Sequence, residues 1–363
     1  MDRTKIKIAI VTQSLANGGA ERFASLLSKM LVRLGFHVHI VSILDDIEYE
    51  YEGELFNLGL LKNKDNSNFG RLKRFFVFKK YIKQQDFDWI IDNRVRTASF
   101  SELMISKFIY NPKKAIYLIH SYKIEKYFPK NPLFSKTIYK ESPYLVAVSK
   151  EIEALVQTQF HYKNTITIYN PIDQKDLIEK ASEATISEKF ILSYGRIDDD
   201  IKNYSLLIES YAQSILPQSN ILLYIMGDGK DVNRLKRQVE QMHLSDKIIF
   251  KSKLPNPFPY VQSAFFTTLT SRNEGFPMTI IESLALGTPV VSVDCHSGPR
   301  EIIRHEHNGL LVENHNPIAL SQAMNRLVQD EVLYQSLKAN ASTSVAHLSL
   351  SSVAKEWQQL LTF

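Results

Sequence analysis

Four short stretches of this 363-residue chain combine residue types able to grip an anion or a sugar hydroxyl. Asn17-Gly18-Gly19-Ala20-Glu21 follows the first apolar run and opens a helical pattern. Paired glycines there let backbone N–H groups approach an anion at a helix start. They equally suit a tight turn without a ligand, and their spacing is not that of the G-x-G-x-x-G dinucleotide fingerprint. Gly195-Arg196-Ile197-Asp198-Asp199-Asp200-Ile201-Lys202 offers two cations that could converge on a departing diphosphate, whose growing charge must be neutralised. The alternative is a solvated loop in which the three aspartates pair with Arg196 and Lys202. In Glu274-Gly275-Phe276-Pro277-Met278-Thr279-Ile280-Ile281-Glu282, Gly-Phe-Pro suits a loop feeding a helix near Met278, with Pro277 in its first turn. Glu282 then lies one to two turns along, on the face of the helix start. Two glutamates so placed can hold one ligand at both ends, with free N–H groups between them for phosphate. His120 ends the run AIYLIH, where it is either a hydrogen-bonding partner for substrate or a structural histidine.

The elements that must carry these residues are legible as bounded apolar runs. In the first half they are IKIAIVT (6–12), HVHIVSIL (37–44), FDWIID (87–92), AIYLIH (115–120) and YLVAVS (144–149). In the second they are FILSYG (190–195), ILLYIMG (221–227), KIIF (247–250), FFTTLT (265–270) and PVVSVD (289–294). Such runs read as buried parallel strands, and helical stretches separate them. Phe23, Leu26, Leu27, Met30, Leu31 and Leu34 recur at helical spacing and stop at Gly35. Alternation throughout predicts a doubly wound parallel sheet in each half. The joint falls near 171–187, around Pro171 and the polar KASEATISEK. A final amphipathic helix is expected in SSVAKEWQQLLTF, with Val353, Trp357, Leu360 and Leu361 on one face.

The length suits two domains of ~100–200 residues each. With 44% hydrophobic and 23% charged residues, the chain is neither a disordered nor a membrane-spanning protein. A lone cysteine, Cys295, can form no internal disulfide, which fits a reducing cytoplasm, and it reads as an inert small residue. The opening KIKIAIVTQS is too short in its apolar run for a signal peptide and reads as the first strand. Charge is uneven: 27 Lys+Arg against 18 Asp+Glu over 1–175 give +9, while 17 against 21 over 176–363 give −4. Two stretches, 61–83 and 107–140, each hold eight Lys or Arg against one acid and are rich in Phe and Tyr. Either the rings are core and the lysines solvate a helix, or the stretches lie on an anionic membrane surface. No nucleic-acid module is present, and none is expected as a partner. No His, Cys or Asp set at metal-ligand spacing stands out in the sequence, so no metal and no cofactor is expected.

Taken in order, these pieces resemble the retaining family 4 (group 1) glycosyltransferases. The likeness rests on the Gly-Gly-Ala-Glu turn, on Arg196 and Lys202, and above all on the E-x7-E element followed by SLALGTPVVSVD, and it runs from about residue 6 to about 345. It implies the GT-B fold: two Rossmann-like α/β domains with parallel sheets facing across a cleft. Residues 1–175 would form an acceptor-binding domain, 176–348 a nucleotide-sugar-binding domain, and 349–363 a helix crossing back to the first. By carry-over, Arg196 and Lys202 hold the diphosphate beside Gly195, Glu282 the ribose and Glu274 the donor sugar. Gly275, Phe276, Pro277, Met278 and Thr279 line that subsite, Gly18 and Gly19 let the first domain close on the phosphates, and His120 touches the sugar near the reacting carbon. Five residues separate Arg196 from Lys202, one more than the family usually has, and Lys251-Ser252-Lys253 stands where a glycine is often found. Ser297-Gly298-Pro299 looks like that of bacterial members using UDP-sugars. The implied reaction is metal-independent transfer of a hexose or N-acetylhexosamine to a hydroxyl of a bacterial surface glycan or lipid-linked acceptor. It would occur in the cytoplasm, or peripherally at the inner face of the cytoplasmic membrane if the basic stretches lie on that surface, through an oxocarbenium-like state. The alternative is a non-catalytic sugar-nucleotide-binding subunit that supports a partner transferase.

Overall fold

The computed structural model describes residues 6–362, so residues 1–5 of the expected first domain and Phe363 of the expected closing helix lie outside the described residues. The chain divides into two compact units, one ending at Pro171 and resuming at Leu350, the other Ile172–Ser349.

The first unit is built on seven strands: β1 (Lys7–Thr12), β2 (His37–Ser42), β3 (Glu54–Asn57), β4 (Trp89–Asp92), β5 (Ala115–Ile119), β6 (Leu145–Ala147) and β7 (Thr165–Thr167). They lie in the order β3-β2-β1-β4-β5-β6-β7, and each pairing is parallel. The second unit has β8 (Phe190–Tyr194), β9 (Leu222–Met226), β10 (Ile248–Lys251), β11 (Thr267–Leu269), β12 (Val290–Val293) and β13 (Gly309–Val312), ordered β10-β9-β8-β11-β12-β13 and again parallel. Parallel neighbours need crossover connections, which bring every strand's carboxyl end to the same edge of its sheet. The central strands are apolar because helices cover both faces. The sequence runs located them and the edge strand β10, but passed over β3 and β13, each at one edge of its sheet.

The expected boundary after residue 175 falls inside the helix Gln174–Ala181. Leu177 and Ala181 of that helix are buried and it packs on the helix Phe258–Ser263, so it folds with the second unit and the division moves back to Pro171. At the other end the helix Leu350–Thr362 returns to the first unit and packs on the helix Gly19–Arg33. The helix starts before the expected capping pair Ser351 and Ser352. Its Val353, Trp357, Leu360 and Leu361 join Phe23, Leu27 and Met30 in one cluster with the β1 and β2 side chains. Trp357 is fully buried, 6.3 Å from the Phe23 ring, and Trp89 Nε1 donates to the Leu361 carbonyl at 2.9 Å.

Truncating so large a buried ring leaves a cavity that the packed helices cannot close. Trp357→Ala is expected to destabilise the first unit by about 3–5 kcal/mol, read as a lower urea midpoint by circular dichroism. An unchanged midpoint would mean the closing helix contributes nothing to that core.

Candidate functional site

Each unit gathers polar residues at the carboxyl ends of its own strands. In the second unit the chain leaves β8 at Gly195, whose φ of +139° belongs to the region glycine favours. Its neighbour after β9, Gly227 (φ +147°), packs so closely that a Cβ there would meet the Gly195 carbonyl oxygen at 1.9 Å. Arg196 then points outward, exposed, and among the described residues its side chain makes no hydrogen bond or ion pair. Ile197 turns inward and is fully buried.

The single helical turn Asp199–Lys202 and left-handed Asn203 (φ 53°) take up the longer loop. The three aspartates do not pair with Arg196 and Lys202. Asp199 accepts from Ser205 N (2.8 Å), Ser205 Oγ (2.7 Å) and Arg234 (2.6 Å), while Asp198 and Asp200 both meet Lys230. The pairing expected of a solvated loop is replaced: Lys230 and Arg234, from the segment after β9, meet the acids instead of Arg196 and Lys202. Lys202 is thereby left to reach across to Glu274: its Nζ donates to Oε1 at 2.7 Å, with both side chains largely buried.

Glu274 lies on the loop after β11, which is fixed on both sides. Arg272 N donates to the Ile201 carbonyl (2.8 Å) and Arg272 Nη2 to Asn203 Oδ1 (2.9 Å), joining it to the β8 loop. Glu274 N donates to the His296 carbonyl (3.0 Å) and Ser297 Oγ to the Gly275 carbonyl (2.7 Å), joining it to the loop after β12. Gly298 (φ +99°) closes that corner, since a Cβ would sit 2.4 Å from Pro277 Cδ. Gly275, Phe276, Pro277 and Met278 are buried in this corner, and Thr279 is partly so.

The helix Met278–Ala285 starts where expected, but with Pro277 at the cap rather than in the first turn, and no side chain caps it. An uncapped start leaves first-turn N–H groups available to an anion. Glu282, four residues into the helix region, is buried and accepts from the Tyr194 hydroxyl at 2.9 Å, which ties the helix to the end of β8. Cys295 is buried and its thiol is pushed well above its ordinary range by burial, so it remains an inert thiol.

In the first unit the helix Gly19–Arg33 is capped by Gly18 in extended backbone (φ −158°), and the Glu21 side chain folds back over it: a Cβ on Gly18 would lie 2.1 Å from Glu21 Oε2. His120, just past β5, shares a 2.7 Å hydrogen bond between Nε2 and Asn93 Oδ1. Asn93 in turn donates to the Ala20 carbonyl (2.9 Å) and to Thr12 Oγ1 (3.2 Å). One buried amide therefore couples β1, β4, β5 and the glycine-led helix start. Sequence reading missed Asn93, since nothing in IIDNRVR marks it.

It also missed the charge cluster behind Asn93. Asp92, Arg94, Arg96 and Glu102 are all buried. Arg94 grips Asp92 with two bonds (3.0 and 2.6 Å) and Glu102 at 2.9 Å, while Arg96 donates to the Tyr139 hydroxyl (2.9 Å) and the Leu118 carbonyl (2.9 Å). Burial alone would raise the Asp92 pKa, but Arg94 and Arg96 outweigh it and hold the carboxyl below its usual range. Two cations and two anions in one site leave it neutral and rigid.

As for metals, three described side chains lie close enough to share an ion: His37, His39 and Glu54. The sequence reading found no such set because Glu54 joins the two histidines only through strand pairing. They sit at the β2–β3 edge, away from the residues above.

Against known proteins, the model described as Glycosyltransferase Family 4 matches residues 17–176, and that described as Glycosyl transferases group 1 matches 174–344. The chain is 29% identical over 365 residues to the N-acetylgalactosamine-N,N'-diacetylbacillosaminyl-diphospho-undecaprenol 4-alpha-N-acetylgalactosaminyltransferase of Campylobacter jejuni, covering 96% of this chain and 98% of that one. It is 24% identical to the amylovoran biosynthesis glycosyltransferase AmsD of Erwinia amylovora, covering 98% and 99%. In fold it is similar to TarM of S. aureus, solved with UDP (TM-score 0.79, 16% identity, 99% of this chain and 100% of that one). It is also similar to HepE of Anabaena, solved with UDP-glucose (TM-score 0.78, 19% identity, 98% and 99%). These likenesses identify the two-domain arrangement of parallel sheets as the GT-B fold.

Burial, with a smaller contribution from Arg96, pushes the His120 pKa down from 6.5 to about 3. A histidine whose folded pKa is depressed contributes stability above its unfolded pKa and loses it as pH falls towards the folded value. His120 is therefore expected to stay neutral, showing no imidazole titration by NMR from pH 7 to 5, and to add to acid sensitivity between about pH 6.5 and 3. An ordinary titration near pH 6.5 would contradict this environment.

Proposed function

Because the chain belongs to the family 4, group 1 glycosyltransferases, we propose that it transfers a hexose or N-acetylhexosamine from a UDP-sugar, with retention of configuration, to a hydroxyl of a lipid-linked or surface bacterial glycan. The Campylobacter relatives, whose names specify N-acetylgalactosamine transfer to diphospho-undecaprenol glycans, favour an N-acetylhexosamine and a polyprenyl-diphosphate acceptor. UDP in the solved structures of TarM and HepE favours that nucleotide.

The observation that carries this reading is the pairing of Lys202 with Glu274 in the same loop system that leaves Arg196 open. Arg196 and Lys202 neutralise the departing diphosphate together with the uncapped start of Met278–Ala285. Glu274 takes sugar hydroxyls and Glu282 the ribose. In the first domain, Gly18 and Gly19 allow backbone approach to the phosphates, and neutral His120 serves as a hydrogen-bond partner of the sugar rather than as an acid. The departing phosphate accepts the acceptor's proton, so no protein base or covalent carboxylate is required.

Arg196→Ala should lower kcat/KM about 100- to 1,000-fold, the cost of removing one donor from a developing anion. Because Arg196 is exposed, circular dichroism and Tm should remain those of the wild type. Near-normal turnover would remove the proposed role. Transfer should also persist in EDTA, and loss of activity restored by magnesium would refute metal independence.

The acceptor reading adds a membrane surface. No helix among the described residues is long and apolar enough to cross a membrane. The helix Asn68–Gln85, however, turns Phe69, Leu72 and Phe76 outward, beside Lys73 and Lys80. Their spacing places them on one face, with rings for the interface and cations for headgroups. The stretch 107–140 divides differently: Tyr110, Tyr117, Tyr127, Phe128 and Tyr139 are core, and only Phe108 and Leu133 among its large apolar side chains are exposed. Flotation with anionic but not zwitterionic vesicles is expected, weakened by Phe69→Ser with Phe76→Ser. Equal behaviour with both vesicle types would dismiss the membrane surface.

A further inference from the structure

His37 and His39 stand two residues apart on β2, so their side chains leave the same face of the sheet. Parallel pairing sets Glu54 of the edge strand β3 opposite His39. His37 Nε2 lies 2.9 Å from Glu54 Oε1, and His39 Nδ1 lies 3.6 Å from Glu54 Oε2. The Tyr81 hydroxyl, from the helix Asn68–Gln85, lies 2.7 Å from His39 Nδ1. One donor atom from each of the three ligating residues falls within 4.8 Å of the others. From these positions we propose that His37, His39 and Glu54 bind a divalent transition-metal ion of the zinc class, with the Tyr81 hydroxyl as a neighbouring oxygen donor.

Donors around tetrahedral zinc sit about 3.3 Å apart, as metal–donor bonds of about 2.0–2.1 Å require. The spacings found here bracket that value, and modest rotation of the side chains would match it. Nitrogen with carboxylate is a donor set that zinc and its first-row neighbours take readily, and that magnesium and calcium do not prefer. Glu54 and His37 are half open to solvent (61% and 45%), whereas His39 is 1% exposed. An ion would thus meet two adjustable donors first and then a fixed one.

A plain ion pair explains the cluster less well. An exposed His–Glu pair contributes little and gives no reason to bury a second imidazole beneath it. The His39 ring lies edge-on to Phe87 at 5.1 Å, and its Nε2 has no hydrogen-bond partner among the described residues. A leucine would fill that place without an unsatisfied polar atom. Lys7, the neighbouring cation on β1, is held by Gln85 at 2.8 Å.

The consequence is structural. The ion would clip the short edge strand β3 to β2. Tyr81 also stacks on Phe56 of β3, with centroids 3.7 Å apart, so the clip extends to the helix that carries the exposed Phe69, Leu72 and Phe76.

The test uses the untagged full chain, stripped with EDTA, exchanged into chelator-free buffer at neutral pH and titrated calorimetrically with zinc alone. One saturable equivalent is expected, accompanied by a higher Tm. Both should vanish in His37→Gln/Glu54→Gln, whose positions are exposed enough to leave the fold and sugar transfer intact. The absence of a saturable equivalent, or its persistence in the double variant, would overturn the site.

Discussion

A lysine and a glutamate that meet at 2.7 Å, 72 positions apart in sequence, hold together the carboxyl-end loops of the second domain. Lys202 belongs to the loop after β8 and Glu274 to the loop after β11. Neither charge could remain largely buried without the other, because an uncompensated charge there would carry the cost of leaving water. The surrounding bonds act in the same direction. Lys230 and Arg234 occupy the aspartates that would otherwise compete for Lys202, and Arg272, Ser297 and Gly298 fix the approach to Glu274. The proposed chemistry needs charges in place before the donor arrives, and this loop system supplies them without waiting for a ligand.

The first domain solves a related problem with a neutral amide. Asn93 satisfies His120, the Ala20 carbonyl and Thr12 together, so the glycine-led helix start and the end of β5 are held to one position. Behind it, two arginines and two carboxylates compensate one another in the core. Removing any one of them would leave a buried charge and disturb Asn93, which makes the cluster a support for the site rather than part of its chemistry.

Much of this was legible in the sequence, and what was not has a physical cause. Buried central strands and amphipathic helices announce themselves through apolar period, as did β1, β8 and the helix Gly19–Arg33. The edge strands Glu54–Asn57 and Gly309–Val312 did not: the first holds only two apolar residues, Leu55 and Phe56, between Glu54 and Asn57, and the second is a short run that opens on Gly309. Arg196, Lys202, Glu274 and Glu282 could be picked out by type and spacing. The partners of Asp198–Asp200 could not, since Lys230 and Arg234 arrive from the loop and helix that follow β9. Asn93 and the His37–His39–Glu54 group escaped for the same reason: strand pairing, not chain proximity, assembles them.

The central claim is that the second domain is a nucleotide-sugar site, and the most direct measurement is thermal denaturation of the purified chain with UDP-, GDP-, ADP- and CDP-sugars in turn, while following slow release of free nucleotide. The account predicts that UDP-sugars raise Tm and release UDP, and that the other three classes do neither. Failure of every nucleotide sugar to stabilise the chain would contradict it.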